Sequence, residues 1–543
     1  MSPSHGAENP SLPDEVDVIV VGAGAAGCVI AARLSEDSAC TVLLLEAGGA
    51  HDRAAVRVPG HRRNLWSAPF AYEDETTVQH HVGDRHISLP TGRGIGGGSA
   101  MNGLIWLQGH PADYDGWQDQ GAHGWSWRGL RPYLRRIEDH ELASDQFHAA
   151  GGPMAVSFPR DIHPAAAAFV RAGAVEGLAV SDDLNGAVRE GVGFGQGNIR
   201  DGARHDVVDG YLRPAEGRAN LIVRSGARVD EIVTAGSTAI GVRVAGTSST
   251  IRARRAVILS AGAIRTPQVL QLSGIGDADQ LRSLDIPVVA DLPGVGRGLQ
   301  DHVLVPTTWP LRVDARASFD EDPELAYRTL RRGPLASTVP ALAVLRSTNE
   351  LSAPDLQLAI SPNGSAPGAD GGPAVIGNVA LVAPQSRGTV RLASADPAAA
   401  PLIDPGYLRE AADRNALVTG LRRLQSIFTA PPMRTLVEPS ARPGPEAWAD
   451  DQALLNYITR HAGPYWHMTG TARMGSDDLS VVDPGLAVHG VGNLFVVDAS
   501  VMPTIPRANT HATTIAIAER AAELFTLAWS GQPAPVGTRA DDE

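Results

Sequence analysis

An apolar run, Val16–Val21, with Asp17 inside it, opens into Gly22-Ala23-Gly24, and apolar residues then recur at helical spacing to about Ser35. A second apolar run follows at Thr41–Leu45. Runs of this length and composition fit strands buried on both faces of a parallel sheet. The pattern predicts one right-handed β-α-β unit. Further along, residues 125–140 read as a helix, Leu221–Val233 and Ile251–Ser260 as strands, and the segment from Ala261 as another helix. Between 332 and 412, alternating apolar positions rich in Pro and Ala predict a separate, mainly antiparallel unit with covering helices. Ala411–Phe428 and Thr513–Trp529 read as helices and Asn493–Val497 as a strand. Residues 1–13 read as a disordered leader, and the tail from Ser530 as mobile.

At 543 residues the chain is too long for one ordinary core, so two intimately joined domains are expected. The expected fold class is α/β: a Rossmann-like nucleotide-binding domain assembled from several segments, plus an α+β substrate domain with an antiparallel sheet. The formal net charge of −14 argues against a nucleic-acid partner, since phosphate binding needs a basic face. All 46 basic residues are arginine. The absence of lysine removes Schiff-base, phosphate-loop and kinase chemistries. Cys28 and Cys40 are the only cysteines, and neither a disulfide framework nor a zinc site is expected. No run approaches a membrane span, and the N-terminus lacks signal-peptide character. A cytoplasmic protein of a GC-rich bacterium is the expectation.

Gly22, Gly24 and Gly27 form G-x-G-x-x-G between the first strand and helix. The first glycine permits a tight turn, the second admits a pyrophosphate to the backbone, and the third allows close helix–strand contact. Glu46 ends the next strand, where a carboxylate can accept ribose hydroxyls and would repel a 2′-phosphate. Gly92, Gly94 and Gly97 repeat the spacing without a preceding apolar strand, so they predict no second nucleotide fold. His80, His81 and His86 lack metal-ligand spacing and predict a solvated loop. Asp74 and Glu75 read as a charged surface turn.

Four segments resemble the glucose–methanol–choline (GMC) oxidoreductases. TGRGIGGGSAMNGLIWLQGHPADYD from Thr91 and GAIRTPQVLQLSGIG from Gly262 are similar to the two family signatures. GPYWHMTGTARMG and VVDASVMPTIPRANTHATT are similar to its C-terminal active-site segments. Residues 303–460 resemble the family less, mostly at SRGTVRLASADPAAAPLIDPGYL. The resemblance implies FAD. It places Gly97, Ser99 and Asn102 along the pyrophosphate and isoalloxazine, Val229 at the adenine, and Asp498 and Ala499 at the ribityl–pyrophosphate region. Ala25, Ala26, Ala47, Arg93, Gly103 and Thr510 complete the implied cofactor contacts. Some relatives attach FAD through a histidine; Met101 holds that position here, which implies non-covalent FAD. The implied domain segments are 14–155, 206–302 and 463–530 for the FAD-binding domain, and 156–205 and 303–462 for the substrate domain.

By the same resemblance, His467 is the base and His511 fills a second position taken by His or Asn in relatives, with Asn509 a neighbour. A histidine poised near neutrality can accept a hydroxyl proton, and a second can hold the developing oxyanion. The implied reaction oxidises a primary or secondary alcohol to a carbonyl, with hydride passing to flavin N5 and reoxidation by oxygen or another acceptor. Trp466 is expected either to wall the pocket or to pack in the core. A cyanohydrin-type lyase with structural FAD and a non-catalytic FAD-binding accessory protein are the rival readings. Aryl or furanic alcohols, choline-like alcohols and sugar or aminocyclitol hydroxyls all remain candidate substrates.

Overall fold

A computed structural model describes residues 12–316, 322–367 and 371–531. The leader expected at 1–13 and the tail from Ser530 lie almost wholly outside the described residues.

Glu15–Val21 is the centre of a seven-stranded sheet. It runs parallel to Val42–Leu45 on one side and Thr250–Leu259 on the other, in registers Val21↔Leu45 and Val21↔Leu259. Leu221–Arg224 extends the parallel part beyond Val42–Leu45. The long strand Thr250–Leu259 changes partner along its length. Residues 250–252 pair antiparallel with Thr238–Val244, and residues 257–259 pair parallel with Leu494–Val496. The alternative to pairing here is an unpaired buried backbone, which costs more than any strand propensity could recover.

Asp17, the polar residue in the first strand, accepts hydrogen bonds from the backbone N–H and hydroxyl of Thr41 at 2.8 and 2.6 Å and from Arg254 at 2.9 Å. These donors, Arg254 first, hold its carboxyl well below the usual carboxylate range.

Two expectations are corrected at their edges. The helix expected over 125–140 spans Trp127–Arg136, and Glu138–His140 is instead a short strand paired with Met154–Val156. Leu221–Val233 is two strands, Leu221–Arg224 and Val229–Ala235, broken by a turn with Gly226 at φ 69°.

The second sheet is antiparallel throughout. Its order is Gly463–Pro464, Val303–Pro310, Pro373–Leu381, Leu356–Ser365, Ala341–Leu345 and Gly191–Phe194. It thus recruits strands from both sides of the 332–412 stretch. Side chains alternate across a strand. Leu356, Leu358 and Ile360 point into a core shared with the helices Pro164–Val175, Ala411–Thr429 and Asp451–His461. Gln357 and Ala359 therefore face the other way, toward Ala508 and Asn509 at the start of the helix Thr510–Trp529. That alternation turns Gln357, among the apolar Leu342, Val344 and Ala359, toward the start of the last helix.

Candidate active site

Val21, Leu45, Leu259 and Val496 end side by side, and the residues that follow them build the site. A crevice beyond the carboxyl ends of parallel strands is where open α/β sheets bind nucleotides. Gly24 is the N-cap of the helix Ala25–Leu34, with no side chain capping it, so that helix's first N–H groups face the crevice. Ala25 and Ala26 form its first turn. The loop Gly92–Gly98 lies directly on this turn. Gly96 N–H donates to Ala23 O at 2.8 Å, and Gly97, at φ 50°, is so close that a Cβ there would stand 2.7 Å from Gly24 Cα. Only glycine fits such an approach in that conformation. A Cβ built at Gly24, Gly98 or Gly103 would meet no atom within 4 Å. These residues therefore frame open space.

Glu46 is buried and its carboxylate is already employed. It accepts backbone N–H groups of Ala23 at 2.9 Å, Gly48 at 2.8 Å and Gly94 at 3.0 Å. It ties both glycine loops together, leaving about one lone-pair site for a hydroxyl. Ala47 follows it at the rim. Val229 begins the strand beside this corner, where Ala227 N–H donates to Glu46 O at 2.7 Å. Arg93 lies over Tyr72, and the neighbouring cleft of about 190 Å³ is lined by His51, Arg93, Gly97 and Met101 among others. Ser99 donates to Gly96 O at 2.7 Å, and Asn102 Oδ1 accepts from Arg204 at 2.8 Å. Asp498 is buried, accepting from Gly262 N–H at 2.8 Å and the Thr266 hydroxyl at 2.6 Å, with burial raising its pKa. Ala499 follows it, and Thr510 begins the last helix.

His467 sits on the segment carried in by the Gly463–Pro464 edge strand. Tyr465 N–H donates to His302 O at 3.0 Å, and His467 N–H donates to the Asp301 carboxylate at 2.7 Å. Trp466 between them holds φ 59°, a rare conformation for an aromatic residue and worth about 1–3 kcal/mol of strain. Its ring meets that of Trp66, 4.8 Å between centroids.

A chain of side chains fixes the tautomer of His467. Tyr465 donates to Gln357 Oε1 at 2.9 Å, and Gln357 Nε2 donates to Asn509 Oδ1 at 3.3 Å. Asn509 therefore presents Nδ2 to His467 Nε2 at 3.2 Å. The lone pair lies on Nε2, and the ring proton lies on Nδ1, which faces His302 Nδ1 at 2.9 Å. Burial alone pushes His467 down to about 3, and His302 falls well below its ordinary value through burial and the His467 charge it would face. Asp301 is pushed up to about 7 by burial, against the donors Tyr407 at 2.6 Å and His467 N–H.

The structure does not bring His511 to His467. His511 packs at the edge of Trp106, 6.1 Å between centroids, within electrostatic reach of Asp206 and Arg204, and burial lowers it to about 4. Asn509 is the non-helical N-cap and His511 lies in the first turn, and among the described residues it is Asn509 that makes a hydrogen bond to His467. The geometry assigns the contact to Asn509. Asn509→Ala is accordingly expected to slow substrate-driven reduction about tenfold, the value of one lost hydrogen bond. His511→Ala should change it by less than about threefold. Stopped-flow rates ranked the other way would return the second position to His511.

Asp74 is also corrected. It is buried beneath Arg265, which holds both its oxygens at 2.7 and 2.8 Å and lies over Tyr72. His80 pairs with Asp84 at 2.7 Å, and His86 meets Thr76 O at 2.8 Å. Among the described residues no group of His, Cys, Asp and Glu could hold a metal ion, and no helix is long and apolar enough to cross a membrane. The sequence reading missed Asp301, His302, Gln357 and Tyr465. Tyr465 lies inside the segment GPYWHMTGTARMG, and nothing local to Asp301, His302 or Gln357 marks them as its neighbours.

Comparison with known proteins gives a consistent result. The GMC oxidoreductase profiles match residues 16–304 and 384–518. The chain is 39% identical over 531 residues to an uncharacterized GMC-type oxidoreductase of Mycobacterium tuberculosis, covering 95% of this chain and 100% of that one. It is 34% identical over 528 residues to an alcohol dehydrogenase [acceptor] of Pseudomonas putida, covering 94% and 95%. The crystal structure of pyridoxine 4-oxidase from Mesorbium loti superposes with a TM-score of 0.86 at 31% identity, covering 94% and 99%.

Proposed function

The chain belongs to the GMC oxidoreductase family, and from that premise we propose that it oxidises a small alcohol to a carbonyl, with FAD held non-covalently and His467 as the base. The contact that carries this reading is His467 Nε2 beside Asn509 Nδ2 at 3.2 Å. It brings the Nε2 lone pair and an amide N–H to face each other, so that a hydroxyl entering between them would meet an acceptor for its proton and a donor for its oxygen. The hydroxyl oxygen would give its proton to Nε2 and accept from Asn509. Tyr465 and Gln357 hold that amide in place, and His302 holds the other edge of the imidazole.

The open cradle at Gly24, Gly98 and Gly103, the uncapped helix N-terminus and Glu46 fit FAD. Gly22, Gly24, Ala25, Ala26, Gly27, Glu46, Ala47, Arg93, Gly97, Ser99, Asn102, Gly103, Val229, Asp498, Ala499 and Thr510 would hold it. When bound, FAD supplies the acceptor for the hydride that leaves the alcohol carbon. Met101 offers no imidazole for covalent attachment. Oxygen or another acceptor completes the cycle.

The test is anaerobic. An alcohol panel added to the yellow protein is expected to bleach the flavin, and air admitted afterwards distinguishes oxidase from dehydrogenase by the speed of colour return. A flavin that no alcohol bleaches would leave a lyase or an accessory protein as the reading.

The pH profile follows from burial. A pKa pushed down to about 3 keeps His467 neutral, and so able to accept a proton, from pH 9 down through pH 5. Activity is lost only as pH falls toward that value. The acid limb of kcat/KM is expected below pH 5, and a limb near 6.5 would mean a solvated imidazole in the working enzyme.

A further inference from the structure

The 3-10 turn Pro59–Leu65 runs up to the His467 segment and is clamped on both sides. A Cβ at Gly60 would meet Leu335 at 2.5 Å, and Trp66, just beyond the turn, rests on Trp466. His61 faces outward to Glu324 at 2.8 Å. Arg62, the next residue, faces a different way and is only partly exposed, within electrostatic reach of Tyr465 and Arg204. Its guanidinium has no hydrogen-bond or ion-pair partner among the described residues. That is unusual company for a partly buried cation in a chain with 60 acidic residues.

Neither Arg62 nor Tyr465 has a carboxylate partner among the described residues, the Asp301 carboxylate is taken up by the Tyr407 hydroxyl and the His467 backbone N–H, and the buried Nε1 of Trp466 is a donor without an acceptor. This wall carries donors in want of acceptors. A buried guanidinium left unpaired is costly, and a bound anion is what removes the cost. Burial accordingly lowers Arg62 to about 10.

We propose that Arg62 is a specificity-determining residue that receives a carboxylate or similar planar anion on the substrate, so that the preferred alcohol is a hydroxy acid. Arginine's fork matches a carboxylate in two parallel hydrogen bonds. The same charge disfavours a quaternary ammonium alcohol. The proposal rests on the alcohol-oxidation reading for the substrate's identity, but its geometry can be tested without turnover.

The experiment titrates the yellow holoenzyme with benzoate, benzamide and benzyltrimethylammonium, following flavin difference spectra. Benzoate is expected to bind at least tenfold tighter than benzamide, with benzyltrimethylammonium weakest. Arg62→Met should erase the benzoate preference while leaving benzamide within threefold, and Arg62→Lys should restore part of it. Arg62→Gln provides the comparison if the methionine variant does not fold. In turnover, 4-(hydroxymethyl)benzoate should outpace its amide in the parent alone. An absent benzoate preference, a preference unchanged in the variants, or variants that fold but purify without flavin would each overturn the proposal, the last by assigning Arg62 to the cofactor. A benzoate preference in a protein that no alcohol reduces would instead overturn the alcohol-oxidation reading and leave Arg62 as an anion site.

Discussion

Replacing His467 with alanine is expected to leave the protein yellow and to slow flavin reduction by alcohol by about a hundredfold or more. The expectation follows from the tautomer. Asn509 donates to Nε2 and His302 meets Nδ1, so the imidazole presents one lone pair, directed beside the amide that would steady the oxygen. Without it, the hydroxyl proton loses the imidazole acceptor beside Asn509, and hydride loss must proceed from the neutral alcohol. The backbone contact of residue 467 with Asp301 survives the substitution, so the segment stays in place. His302 loses its partner, at a cost of about 1–3 kcal/mol, which a protein of this size tolerates. Stopped-flow reduction at saturating alcohol, with the flavin spectrum as the control for cofactor binding, decides the matter. Equal rates in variant and parent would remove His467 from the chemistry.

The opening unit was legible because its signals are local. Val16–Val21 and Val42–Leu45 are buried on both faces, and the glycines between them sit where a strand becomes a helix. The catalytic corner was legible only in part. His467 stood out through its segment, but its partners Asp301, His302 and Gln357 come from residues more than a hundred positions away, and nothing in their local pattern announces the meeting. The separate surroundings of Asn509 and His511 were not legible for a simpler reason. Both lie in one short motif, and only the direction of the helix beginning at Thr510 separates them.

Polar residues misled in the same way elsewhere. Asp74 lies in an acidic stretch that reads as surface, yet Arg265, 191 residues later, buries it. Arg62 lies in an Arg-rich turn, and only the fold shows that its neighbours supply no counter-charge. Burial and pairing are properties of the tertiary arrangement, and a sequence without lysine, in which arginine fills every basic role, offers no compositional clue to which cation is special.

Gly24→Val is expected to give a folded, colourless protein, and this separates it from its neighbour in the same motif. At Gly24 an added Cβ meets no protein atom within 4 Å, so the backbone there has room for a side chain to start. The new methyl groups then occupy the space between the helix N-terminus and the Gly97 loop, where a pyrophosphate would meet the exposed N–H groups. At Gly27 a Cβ would stand 1.8 Å from Gly22 O and 3.3 Å from Ser260 Cβ, so Gly27→Val pushes the helix off the sheet. Purification and far-UV circular dichroism distinguish the two. Gly24→Val should keep parental secondary structure with less than a tenth of the flavin absorbance and no gain on adding FAD, whereas Gly27→Val should yield little soluble protein. A Gly24→Val variant that retains its yellow colour would place the cofactor's phosphates away from this turn, and the active-site assignment built on it would have to move as well.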